Sequence, residues 1–120
     1  MFPIIPANSV AEEAGNSQGI ILGGGGAGVV TESNIVSNAG VVASDVTLVG
    51  TARRSPGACE YGGDKGIYAY GDNAGKLNGS NLISNAGVVS SDVAGVGTAR
   101  NYLVGCSYGA NKGIFGYGSD

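Results

Sequence analysis

The sequence predicts an all-β protein of two to two-and-a-half four-stranded, propeller-like blades, completed by oligomerisation, and three observations lead there. The chain repeats itself at a period of 47 residues, its apolar residues come in short alternating runs broken by glycine, and no stretch joins a helix cap to a 3.6-residue apolar period. Ser33-Asn34-Ile35-Val36-Ser37-Asn38-Ala39-Gly40-Val41-Val42 returns as Ser80-Asn81-Leu82-Ile83-Ser84-Asn85-Ala86-Gly87-Val88-Val89. The offset holds without a gap to residue 120, with 24 identities among the 41 aligned positions of 33–73 and 80–120. Gly19-Ile20-Ile21-Leu22, Gly66-Ile67-Tyr68-Ala69 and Gly113-Ile114-Phe115-Gly116 extend the same period in both directions. Periods of about 40 to 50 residues suit propeller blades, in which each unit buries its apolar face only by stacking on the next.

Residues 1–18 are expected to form an extended N-terminal arm, and residues 19–120 a β-repeat domain with units 19–65 and 66–112 and an extra strand at 113–120. In the arm, Phe2, Ile4 and Ile5 alternate with Pro3 and Pro6, which suits a non-helical strap laid on a neighbouring surface. Gly19 to Gly24 opens the first unit as a strand. The glycine run that follows lacks the Gly-Lys-Ser/Thr of a phosphate loop and any helix after it, so it is a flexible turn. Ser37-Asn38-Ala39-Gly40 and Ser84-Asn85-Ala86-Gly87 place turn-forming Asn and Gly between apolar pairs. Lys65 to Gly71 and Lys112 to Gly118 alternate as strands do, and further strands are expected near Asp92 to Thr98 and Tyr102 to Tyr108.

Composition narrows the function. Six Lys and Arg against nine Asp and Glu give a net charge of −3 with no basic cluster, so neither nucleic acid nor an anionic membrane is expected as a partner. No run approaches the roughly 18 apolar residues of a membrane-spanning helix, and the opening residues lack the charged and apolar regions of a secretory signal, which points to assembly in a cytoplasm. The chain has no His. That removes the usual general base and the Ser-His and Cys-His pairs, so no enzyme activity is expected. Glu12-Glu13, Asp64 and Asp72 have no calcium-loop spacing, and neither metal nor cofactor is expected. Cys59 and Cys106 occupy equivalent positions and are expected to be buried free thiols. A disulfide between them is disfavoured, because equivalent strands of adjacent blades do not bring their Cα atoms into bonding range.

Comparison of the two copies separates scaffold from surface. Asp45 with Arg53, and Asp92 with Arg100, recur and are expected to be structural ion pairs bridging strand ends. Where Arg54-Ser55-Pro56-Gly57 gives way to Asn101-Tyr102-Leu103-Val104, a polar turn becomes apolar, and aromatic residues are enriched at interface cores. The expected assembly interface is therefore Phe2, Ile4, Ile5, Tyr102, Leu103, Ile114, Phe115 and Tyr117. Tyr61, Tyr68 and Tyr108 are the alternative, a tyrosine platform for a sugar.

Thr98-Ala99-Arg100 followed by Lys112-Gly113-Ile114-Phe115-Gly116-Tyr117-Gly118, with the first copy running from Thr51-Ala52-Arg53 to Gly71, resembles the kelch repeat. Lys65-Gly66-Ile67-Tyr68-Ala69-Tyr70-Gly71-Asp72-Asn73-Ala74-Gly75-Lys76-Leu77 is similar to the repeat of the regulator of chromosome condensation, a second propeller family. The segment from Ser80 to Arg100 and that from Lys112 to Gly118 also resemble repeats of bacteriophage and marine viral structural proteins, and Met1 to Val10 is similar to the opening of some phage tail proteins. Propeller rings need about four to eight blades. Two units leave sheet faces and an edge in water, and such surfaces associate. A non-enzymatic structural protein follows: it self-assembles as a ring or fibre, or decorates a phage virion or tail, with identical subunits or other virion proteins as partners. The C-terminal hairpin, Tyr108 to Gly118, is expected to complete the first sheet of the next subunit. The alternative is a receptor- or carbohydrate-binding module with surface glycans as partners, located on an extracellular fibre.

Overall fold

The computed structural model describes residues 17–120; all but the last two residues of the expected arm, with Phe2, Ile4 and Ile5, lie outside it. The described chain is all-β. Its strands are β1 Gly19–Leu22, β2 Glu32–Val36, β3 Val46–Thr47, β4 Gly57–Tyr61, β5 Lys65–Ala69, β6 Ser80–Ile83, β7 Val104–Tyr108 and β8 Lys112–Gly116. They form three small antiparallel sheets, β1-β2-β3, β4-β5-β6 and β7-β8. No described residue is helical, and no helix is long and apolar enough to cross a membrane.

The sheets have three, three and two strands rather than four each, and they do not close on one another. The strand expected over Asp92 to Thr98 shrinks to an isolated bridge between Val93 and Ser80. Glycine explains this: Gly95 lies against the backbone of Asn78, and Gly97 turns into the left-handed region at φ 90°, where ladder pairing stops. The period stands, but its origin moves. The β4–β5 hairpin crosses the boundary expected between 65 and 66, because Tyr61 pairs with Lys65 around left-handed Gly62 and Gly63.

Backbone conformation repeats as faithfully as sequence. Ser55 and Tyr102 have φ 53° and 55°, and Tyr70 and Tyr117 have φ 64° and 62°, each pair one period apart. Non-glycine residues rarely adopt such values, so their recurrence shows that equivalent points of the repeat bend alike.

The core is small. Tyr68, Ile83 and Val89 form its buried cluster, and Ile20, Leu22 and Leu48 of the first module pack against them. Among the described residues five hydrophobic ones are buried against fifteen large ones exposed, so much of their apolar surface is left uncovered by the described chain. The second and third sheets meet through β4, which lies against both β7 and β8. Gly105 makes that approach possible: a Cβ there would stand 2.5 Å from the Ala58 carbonyl oxygen and 3.1 Å from its nitrogen. Ser107 Oγ donates to the Glu60 carbonyl at 2.8 Å, and the Gly62 amide to the Asn111 carbonyl at 2.8 Å. Between the first and second sheets, by contrast, lies a cleft of about 480 Å³ lined by Ile20, Leu22, Ile35, Cys59, Ile67 and Ile83 among others.

Candidate assembly interface

Arg53 is the centre of the second module. It is 3% exposed, and a buried guanidinium needs acceptors around its whole fork. Its Nε donates to the Thr51 carbonyl at 3.3 Å, and Nη1 donates to the carbonyls of Tyr70 at 3.1 Å and Gly79 at 2.6 Å. Nη2 donates to Asn81 Oδ1 at 2.7 Å and to Asp92 Oδ1 at 3.4 Å. The guanidinium carbon lies 5.0 Å from the centroid of the Tyr68 ring, within range of a cation–π attraction. Asn81, fully buried, uses its amide nitrogen to reach the Ser90 carbonyl and Asp92.

Asp92 ties this network to the previous module. Thr51 gives it its backbone amide at 3.0 Å and its hydroxyl at 2.7 Å. Partial burial pushes the Asp92 carboxyl up, but the Thr51 hydroxyl and amide, the Asn81 amide and the Arg53 charge outweigh it and hold the group below the usual carboxylate range.

Arg53 therefore pairs with Asp92, not with Asp45 as the sequence suggests. Asp45 instead accepts from Asn34 at 2.8 Å, the same bond that Asp92 accepts from Asn81. Arg100 is half-buried, and its side chain makes no ion pair or hydrogen bond with a described residue. The correction has a simple cause: each module runs from an arginine forward to the aspartate that follows it, so the pairs read backwards across the joint do not form. Asn34 and Asn81, each bonded to the aspartate of its own unit, are network residues that sequence reasoning did not single out. Their identity in both copies was the available signal.

Of the expected interface residues, Tyr102, Ile114 and Tyr117 are 73%, 53% and 85% exposed. Tyr102 and Tyr117 also hold left-handed backbone. Leu103, by contrast, is buried against Gly57 and Gly118 of its own chain. Phe115 is half-buried and packs on Gly57 and on the Tyr70 ring, 6.0 Å between centroids. Tyr102, Ile114 and Tyr117 belong to the module of β7 and β8, and β8 has no second neighbour among the described residues.

The tyrosine platform does not assemble as a set. Tyr68 is in the core at 1% exposure, while Tyr61 is half-buried and Tyr108 is exposed under the Lys112 ammonium. Both cysteines are free thiols, but only Cys59 is half-buried; Cys106 is exposed. Burial, and the nearby Cys106 thiol, push the Cys59 thiol up despite a hydrogen bond from the Ile114 backbone, so it favours the unreactive protonated form. Among the described residues no three His, Cys, Asp or Glu side chains are grouped to hold a metal. No protein-family model matches the chain, and neither does any curated protein.

Proposed function

We propose that the chain is a non-enzymatic structural protein that associates with copies of itself, head to tail, as a ring or fibre or as a coat on a larger particle such as a phage virion or tail assembled in a host cytoplasm. In this reading the three sheets are blade-like modules and the copies supply the neighbours that one chain lacks. The observation that carries it is the third sheet: among the described residues it has two strands and no neighbour on the outer side of β8, with exposed Tyr102, Val104, Ile114 and Tyr117 around it. A row of unpaired backbone donors and acceptors beside apolar side chains is a template for another strand. Head-to-tail contact gives a closed ring where the rotation closes and a filament where it does not.

Size-exclusion chromatography with light scattering over a range of concentrations, followed by negative-stain imaging, tests this. Assemblies that grow with concentration are expected. A chain that stays a monomer throughout and binds glycans instead would replace this reading with the carbohydrate-binding one.

A further inference from the structure

We propose that Asn78 is a self-modifying site: its side-chain amide closes onto the Gly79 nitrogen and hydrolyses to aspartate and isoaspartate, and the product loosens the buried Arg53 network. The chemistry needs only the second module and water.

Of the ten asparagines in the chain, Asn78 alone precedes a glycine. Glycine has no Cβ to shield its nitrogen, so attack on the side-chain carbonyl is least hindered at this pair. Asn78 is exposed and lies outside the strands, between the Leu77–Arg100 bridge and the start of β6 at Ser80. Among the described residues none accepts from the Gly79 amide, so no ladder ties up the nucleophile. Nδ2 of Asn78, the leaving nitrogen, donates to the Gly97 carbonyl at 3.1 Å.

The fold does not ask for this glycine. Gly79 does not hold left-handed backbone, and a Cβ there would stand 3.4 Å from the Val93 carbonyl oxygen and 3.9 Å from Arg53 Nη2, which leaves room for a methyl group. One period earlier the pair is Thr31-Glu32. The Glu32 carbonyl accepts the Gly23 amide at 2.9 Å, as the Gly79 carbonyl accepts that of Tyr70 at 2.9 Å. A residue with a full side chain therefore fills the same backbone role in the first module, and the reactive pair is a departure from the repeat that packing does not explain.

The Gly79 nitrogen, giving its proton to water or hydroxide, bonds to Asn78 Cγ. The Cγ–Nδ2 bond breaks and ammonia leaves with a proton, closing a five-membered succinimide. Water then opens the ring. Cleavage between the nitrogen and Cγ gives aspartate, and cleavage between the nitrogen and the backbone carbonyl carbon gives isoaspartate, with one more methylene in the main chain. Either product replaces an amide donor with an acceptor-only carboxylate facing the Gly97 carbonyl. Isoaspartate also displaces Gly79, whose carbonyl is the closest acceptor of Arg53 at 2.6 Å, and a buried guanidinium that loses an acceptor is destabilising.

Incubation of the full chain in mildly alkaline buffer, followed by intact mass and a tryptic map, tests this. The mass rise of an amide exchanged for a carboxylic acid is expected in peptide 77–100, released at Lys76 and Arg100, with fragmentation placing it at Asn78. That peptide should resolve into two products of equal mass, and the modified chain should melt at a lower temperature than the fresh one. Gly79→Ala is expected to keep the fresh midpoint and lose the mass rise. Wild type unfolded in guanidinium gives the intrinsic rate, which keeps the test readable if the variant fails to fold. A folded chain that keeps its mass while the unfolded one reacts would overturn the inference. So would modification at Asn81 or Asn85 instead, an equal rate in Gly79→Ala, or a modified chain that melts as the fresh one does.

Discussion

Arg53 joins segments that are distant in sequence, since Thr51, Tyr70, Gly79, Asn81 and Asp92 all surround it. Arg53→Ala would leave several of these acceptors buried without a donor, and breaking such a network costs about 3–5 kcal/mol. Against total stabilities of about 5–15 kcal/mol, urea titration should show the second module unfolding at much lower denaturant. Asp92 gives this site a pH dependence. Its folded carboxyl titrates below the unfolded one, so its contribution is present above the ordinary carboxylate value and is lost as pH falls through the lowered one. Acid titrations of thermal midpoint should therefore drop below about pH 4, and Asp92→Asn should flatten that limb. Sequence comparison identifies Arg53, Asp92 and their counterparts as scaffold but assigns the wrong partners. A repeat states the interval between equivalent residues and is silent on where one folded unit starts, so Asp45 and Asp92 were equally good candidates until the sheets were placed.

Hairpins were the most legible elements. Lys65 to Gly71 and Lys112 to Gly118 contain β5 and β8, and Tyr102 to Tyr108 contains β7. Alternation and glycine punctuation are local signals, and these strands answer to local rules. Asp92 to Thr98 failed because one glycine meets a distant backbone and another turns left-handed, neither of which alternation records. The close approach of β4 to β7 at Gly105 was equally hidden, since nothing nearby in sequence marks a glycine whose missing side chain belongs to another sheet. Gly105→Val is expected to wedge these two sheets apart and cost about 1–3 kcal/mol, the usual range for overpacking. Thermal melts of this variant should shift down, and the Tyr70–Phe115 contact should be lost from aromatic circular dichroism.

For the whole molecule, the balance between a small core and a large exposed apolar surface is what matters. The fifteen large hydrophobics exposed among the described residues are a liability for an isolated chain and an asset for one that is covered. If association buries them, the folded state is stabilised by mass action, and the thermal midpoint should rise with protein concentration. Differential scanning calorimetry at several concentrations measures this directly, and a midpoint independent of concentration would argue for a solitary fold. Repetition made the modular β architecture legible from sequence. Which residues around β7 and β8 face outward, and that Leu103 turns inward, depended on packing between modules.

The matched left-handed positions at Ser55 and Tyr102, and at Tyr70 and Tyr117, carry an evolutionary consequence. Because these points one period apart bend the backbone in the same way, a genetic duplication or loss of 47 residues restores an equivalent bend at the seam. Length can then change in whole modules by unequal recombination, like links added to a chain.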